Sequence, residues 1–264
     1  MTIKHSMKNK TAIVTGGSHG IGLAIARQLG ENGCKVVICS RTQERLDSTK
    51  TEFEKLNINC ATYKFDALDS QDTLNVVKAI IKDNPKIDIL INNVGGGGSW
   101  GVSDVTKTDI SVWREVFEKN TFSASVFTQQ VLPSMIQNEW GRIITISSII
   151  GKESRAECRP WFNMAKAAQI ALMKSLSKDK KLVRKGITFN TVSPGGIFID
   201  DTGFAKLKKE DPKAYKSMVD RDYPLGRQGS PEEVANLVTF LCSESSSLIN
   251  GSQIVIDGGQ TNSY

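Results

Sequence analysis

Residues 10–22 read Lys-Thr-Ala-Ile-Val-Thr-Gly-Gly-Ser-His-Gly-Ile-Gly, and Leu-Ala-Ile-Ala-Arg-Gln-Leu follows, ending at Leu29. Lys10–Thr15 is a short apolar run, the pattern of a strand covered on both faces. Ile21–Leu29 carries apolar residues at helical spacing and meets Asn32-Gly33, a left-handed terminator. Between the two lie Gly16, Gly20 and Gly22. Glycines here let the chain turn tightly, let a phosphate approach the backbone and let the helix pack close to the strand. The free N–H groups and partial positive charge of the helix start then favour an anion. A plain strand–helix turn could use the same glycines. The strand before and the helix after are the context that supports phosphate binding.

Outward from this unit the same alternation continues. Lys35–Ser40 reads as strand and Gln43–Leu56 as helix, then Cys60–Phe65 as strand and Leu68–Lys82 as helix. Ile87–Asn92 is strand, Thr108–Gln137 one long helix with Pro133 near its end, and Arg142–Ser147 strand. Phe162–Lys181 is helix, Ile187–Val192 strand, Pro231–Cys242 helix and Gln253–Ile256 strand. Seven strands with helices between nearly all of them predict an α/β fold. The expected form is a doubly wound, Rossmann-type, seven-stranded parallel sheet with helices on both faces. No repeat or linker divides the chain, so residues 1–264 are expected to form a single domain. Such sheets bind ligands beyond the carboxyl ends of their strands, where strand order reverses.

Composition excludes several functions. With 39% apolar and 23% charged residues the chain is globular rather than disordered. A net charge of +6 over 264 residues is too diffuse to indicate nucleic-acid binding. Five cysteines with no CxxC spacing argue against a disulfide framework and a zinc site, and no metal is expected. Met1–Lys10 is polar, without the apolar stretch of a targeting signal. No run approaches the ~18 apolar residues of a membrane span, and a reducing cytoplasm is the expected setting.

Thr15-Gly16-x-x-x-Gly20-Ile21-Gly22 resembles the opening motif of the short-chain dehydrogenase/reductase family. Further motifs follow in the family's order. Asn92-Asn93-Val94-Gly95 is similar to Asn-Asn-Ala-Gly, Asn120 stands where the family keeps an active-site Asn, and Ser148 matches the catalytic serine. Lys166 matches the lysine of Tyr-x-x-x-Lys, Pro194-Gly195 follows the sixth strand, and Asp257-Gly258-Gly259 lies near the end. The resemblance spans essentially the whole chain. It implies a nicotinamide dinucleotide held by Gly16, Ser18, His19, Gly20, Ile21, Gly22, Ser40, Arg41, Asp66, Ala67, Asn93, Val94, Gly95, Lys166, Pro194, Gly195 and Ile197. It also implies a substrate lid over about residues 196–226.

The end of the second strand bears on cofactor choice. A carboxylate there would bind the ribose 2′-hydroxyl and favour NAD(H). This chain has Ser40-Arg41, and the guanidinium fork suits a 2′-phosphate, so NADP(H) is favoured over NAD(H). A solvated arginine at a helix start is the other reading of Arg41. Asp66 matches the family's adenine-facing carboxylate and could equally cap the helix after it.

The family's reaction interconverts an alcohol and a carbonyl by hydride transfer. A Tyr exchanges the proton, a Ser holds the substrate oxygen, a Lys binds the nicotinamide ribose and supplies positive charge, and an Asn anchors a water relay. Here the residue four before Lys166 is Phe162, which has no proton to give. Tyr63, Tyr215, Tyr223 and Tyr264 all lie outside the Ser148–Lys166 interval, and the related enoyl-reductase spacing falls on Arg159. The family's carboxamide-binding Thr is replaced by Ile199. Four readings stay open. The chain is a divergent reductase using another acid (Lys166, a water held by Ser148 and Asn120, or Tyr215 or Tyr223). It is an engineered Tyr-to-Phe variant. Or it is a nucleotide-binding protein without redox turnover, or an epimerase- or dehydratase-like user of the cofactor.

Arg155 and Arg159 precede Phe162, and Trp100 follows the Gly95–Gly98 run. They are candidates for the substrate wall and point to a small, anionic substrate. Cys158, between the two arginines, reads as a passive thiol. The resemblance further implies a homo-oligomer, tetramer or dimer, built on the long helices and the last strand.

Overall fold

The computed structural model describes residues 6–102, 104–154 and 159–263. Its strands are β1 (Thr11–Thr15), β2 (Lys35–Ser40), β3 (Cys60–Lys64), β4 (Ile89–Asn92), β5 (Gly141–Ile146), β6 (Ile187–Pro194) and β7 (Gln253–Ile256). The helices are α1 (Gly20–Glu31), α2 (Gln43–Lys55), α3 (Ser70–Asp83), α4 (Ile110–Phe117), α5 (Ser123–Gln137), α6 (Pro160–Leu176), α7 (Lys180–Val183), α8 (Gly203–Glu210), α9 (Pro212–Asp222) and α10 (Pro231–Leu241). All neighbouring strands are parallel, in the order β3-β2-β1-β4-β5-β6-β7. The chain crosses from one half of the sheet to the other between β1 and β4, which is where a doubly wound sheet opens its crevice.

Strand residues alternate between two apolar layers, because successive side chains leave opposite faces of a sheet. Ala12 and Val14 of β1 join Ile25, Ala26 and Leu29 of α1, Phe53 of α2 and Val234 and Val238 of α10. Ile13 of the same strand joins Val77 and Ile80 of α3, Phe127 and Val131 of α5 and Met173 of α6. The central strands are covered on both sides, which is why their sequences are apolar throughout.

Strand positions agree with the sequence reading to within two residues. The expected helices depart from it at two places, and α8 and α9 occupy part of the 196–226 stretch, where it assigns no helix. The expected Thr108–Gln137 helix is α4 and α5 joined by a π turn over Glu118–Phe122, whose signature is the Ser123 N–H donating to the Glu118 carbonyl. The expected Phe162–Lys181 helix ends at Leu176, and α7 starts anew with Asp179 accepting from the Lys181 N–H. Among the described residues no helix is long and apolar enough to cross a membrane.

Candidate active site

The carboxyl ends of β1 and β4 are tied together by Thr15 and Asn93. Thr15 Oγ1 donates to the Ile91 carbonyl at 3.3 Å and accepts from the Asn93 and Val94 N–H groups at 2.9 and 3.0 Å. Asn93 Nδ2 donates to the Thr15 carbonyl at 2.9 Å. Gly16 turns with φ +66°, open to glycine at little cost. A side chain at Gly22 would meet the Gly16 carbonyl at 2.3 Å, so α1 packs this close only with glycine there. The N-cap residue His19 makes no side-chain cap and no acid lies in the first turn of α1. The first N–H groups of α1 are left to a ligand.

A cavity of about 280 Å³ opens in this crevice. Gly16, Ser18, His19, Ser40, Arg41, Asp66, Ala67, Asn93, Val94 and Gly95 line it, ten of the residues expected to hold the dinucleotide. Ser18 Oγ donates to Ser40 Oγ at 2.8 Å, joining the turn to the end of β2. Asp66 is not the cap of α3: Asp69 is, accepting from the Gln71 and Asp72 N–H groups, while Asp66 accepts from the Leu68 N–H at 3.0 Å. The wall also holds Arg45 and Lys119, which the sequence reading missed. Arg45 lies in the first turn of α2, just after the Ser40-Arg41 pair. Lys119 comes from the π turn, stands 4.8 Å above the Trp100 ring, and is held below its ordinary pKa by burial and by Arg41.

Pro194, Gly195 and Ile197 lie across the sheet from that cavity. The Gly195 N–H donates to the Ile256 carbonyl at 3.0 Å and Ile197 bridges to Gly229, so the chain just after β6 is fixed to β7 and to the approach to α10. Ile199 packs against Gly20. Its side chain offers no hydrogen bond. A larger cavity of about 710 Å³ lies between α1, α10 and residues 198–201. Neither Ser148 nor Lys166 lines it.

Asn120 is fully buried in the π turn. Its Nδ2 donates to the Val116 and Gly96 carbonyls at 2.7 and 2.8 Å, and its Oδ1 accepts from the Gly96 N–H at 3.2 Å. It therefore clamps the loop after β4. Ser148 follows β5 and accepts a long, 3.4 Å bond from the Ile150 N–H, which leaves its own hydrogen to donate elsewhere. Lys166 is buried on α6 and donates to the Ile146 carbonyl at 3.1 Å and to Gln169 Oε1 at 3.0 Å. Burial first, and the charge of Lys119 second, lower its pKa from 10.5 to about 7. The Phe162 ring centroid is 5.6 Å from Lys166 Nζ.

The remaining candidates are spent elsewhere. Tyr215 Oη donates to Gln228 Oε1 at 2.9 Å, and Tyr223 Oη accepts from Gln228 Nε2 at 3.3 Å. Tyr215 lies in α9 and Tyr223 at its C-cap. Arg159 stands at the N-cap of α6 with its guanidinium 6.0 Å from the Trp161 ring. Trp100, like Trp113 and Phe162, packs against the small cluster of Val116, Trp161 and Ala165. Arg155 and Cys158 lie outside the described residues.

A family model described as enoyl-(acyl carrier protein) reductase matches residues 16–261. Over 260 residues the chain is 34% identical to the 3-oxoacyl-[acyl-carrier-protein] reductase FabG of Aquifex aeolicus (strain VF5), covering 96% of this chain and 98% of that protein. Dehydrogenase/reductase SDR family member 4 of Rattus norvegicus is 32% identical over 260 residues, covering 98% of this chain and 90% of that protein. This chain is a short-chain dehydrogenase/reductase. The structure of L-sorbose reductase from Gluconobacter frateurii, complexed with NADPH and L-sorbose, matches with a TM-score of 0.90 at 28% identity, covering 99% of this chain and all of that one.

A nicotinamide dinucleotide fits this short-chain dehydrogenase/reductase. The uncapped start of α1 and the Gly16–Gly22 cradle suit a pyrophosphate. The donors around the 280 Å³ cavity include Arg41, Arg45 and Lys119 against one carboxylate, Asp66. Sequence reasoning missed Gln169 as well as Arg45 and Lys119. Arg45 was within reach, since it falls in the first turn of the helix that follows Ser40-Arg41. Lys119 and Gln169 carried no signal, because only the π turn and the pairing of α6 with it bring them to the site.

Proposed function

We propose that this oxidoreductase interconverts an alcohol and a carbonyl with NADP(H), and that Lys166 exchanges the proton that a tyrosine would exchange in the usual motif. A bound nicotinamide supplies or takes the hydride at the substrate carbon. The chain's residues do the rest. Gly16, Ser18, His19, Gly20, Ile21 and Gly22 would hold the pyrophosphate, and Asp66 and Ala67 the adenine. Ser40, Arg41 and Arg45 would hold the 2′-phosphate, since no carboxylate stands there to repel it. Asn93, Val94, Gly95, Pro194, Gly195 and Ile197 would enclose the nicotinamide half. The segment 196–226 forms the lid of what we take to be a single domain.

Ser148 donates to the substrate oxygen. Lys166 gives that oxygen a proton in the reductive direction and takes one in the oxidative direction. The observation that carries this reading is a buried lysine beside Phe162 whose pKa is brought down to about 7. A proton donor works best when its pKa lies near the working pH. Exposed Ile110 and Phe122 on or beside the long helices, and Met164 on α6, support a homo-oligomer built on these faces.

The test is a paired assay of the chain and Phe162→Tyr with NADPH and with NADH over a panel of carbonyls. The expected result is NADPH-dependent turnover by the native chain, with a pH break near neutral. The tyrosine form should be faster, but by less than the roughly 10²–10⁴-fold of one well-placed acid, because Lys166 already supplies a proton. Turnover by Phe162→Tyr alone would refute Lys166 as the donor.

A further inference from the structure

Gln169 lies one turn beyond Lys166 on α6 and is fully buried. Its Nε2 donates to the Asn120 carbonyl at 2.6 Å, and its Oε1 accepts from Lys166 Nζ at 3.0 Å. A carbonyl only accepts, so the amide cannot turn over: nitrogen must face Asn120 and oxygen must face Lys166. The other partner of Nζ is the Ile146 carbonyl, again an acceptor only.

This has a consequence for the amine. An ammonium has three hydrogens, while a neutral amine has two and a lone pair. In both states Ile146 and Gln169 take two hydrogens, so the position that gains or loses the proton is the third. A β-carbon on Gly95 would lie 2.9 Å from Nζ, and the Phe162 ring centroid lies 5.6 Å away. Gly95 has no side chain and Phe162 no hydroxyl, so neither meets that third position. We propose that Gln169 is a positioning residue that turns the exchangeable position of Lys166 toward the gap between Gly95 and Phe162. It rests on Lys166 as the proton donor. In the reductive step an N–H bond of the ammonium breaks, its electron pair stays on nitrogen, and the proton forms the O–H bond of the alcohol. The reduced nicotinamide supplies the hydride.

The charges near Nζ are few. Arg114 and Glu115 on α4, Glu118 in the π turn, Arg142 on β5 and Lys152 before α6 belong to elements packed around it. Among the described residues, Lys119 of the π turn is the charge that acts on it, and burial outweighs that effect.

The experiment follows the amine directly. The chain is prepared with ¹³Cε-lysine, Lys166 is assigned by the signal lost in Lys166→Met, and the signal is titrated in native protein, Gln169→Leu and Gln169→Glu. Removing the neutral acceptor should lower the proton affinity of Lys166 by about tenfold in Gln169→Leu, and the carboxylate should raise it by a similar factor in Gln169→Glu. An unchanged midpoint in whichever variants fold overturns the proposal. In turnover, the pH break of kcat should move with the midpoint while the substrate KM stays within about twofold. Shifted midpoints without any carbonyl turnover would refute the catalytic reading and leave the Gln169 clamp standing. A pH break that ignores a shifted midpoint would refute the positioning role.

Discussion

Lys166→Met should invert the stability order of native and variant protein between acid and alkaline pH. The native lysine falls from its ordinary 10.5 to about 7 because it is buried, with Lys119 adding to the effect. A lowered lysine pKa means that between pH 7 and 10.5 the unfolded chain binds more protons than the folded one, so stability rises with pH across that window. At pH 6 both states are protonated, and the folded state carries the whole penalty of about 5 kcal/mol. By pH 10 about 1 kcal/mol of it remains. Methionine removes the penalty at every pH. It also leaves the Ile146 carbonyl and Gln169 Oε1 without their donor, a cost of about 1–2 kcal/mol each that does not depend on pH. The variant should therefore be about 2 kcal/mol more stable at pH 6 and about 2 kcal/mol less stable at pH 10. Thermal melts read by circular dichroism would show this as a change of about 10 °C in the difference between their melting temperatures. A difference that stays constant from pH 6 to pH 10 would refute a lysine titrating near neutrality.

Two further changes probe the cofactor crevice. Arg41→Ala should weaken NADPH about tenfold in calorimetric titration, by loss of one charge-assisted contact, and leave NADH affinity unchanged. Asn120→Ala removes three hydrogen bonds from a buried clamp, two of them to Gly96. It should lower stability by about 2–4 kcal/mol and increase hydrogen exchange at the loop after β4, read by mass spectrometry.

Much of this molecule was legible in the chain. Strands such as Ile13–Val14 are buried on both faces, so their apolar character is written without interruption. The turn at Gly16–Gly22 is fixed by close approach, which only particular residues permit. The ten crevice residues line one cavity because they follow strand ends, where a parallel sheet collects them. The π turn was illegible, because residues 108–137 keep a helical pattern on both sides of it. Asp66 looked like a cap because its neighbour Asp69, which caps α3, differs from it only in position along the turn. Gln169 was invisible for another reason. A glutamine one turn after a lysine reads as an ordinary helical pair, and only the facing Asn120 carbonyl orients its amide.

The π turn also changes what kinds of mutation this enzyme can absorb. It places one residue more between Phe117 and Ser123 than an unbroken helix would need. Each residue advances a helix by about 100°, so deleting one from 118–122 would swing Asn120 and Lys119 around the axis relative to α4 or α5. Asn120 would then leave Gly96 and Gln169 together, and Lys119 would leave the cofactor wall. A length change there damages three parts of the site at once. A substitution of exposed Phe122, which makes an edge contact with Phe117, would touch none of them. The hydrogen-bonded setting of Lys166 thus depends on a residue count as firmly as on residue identity.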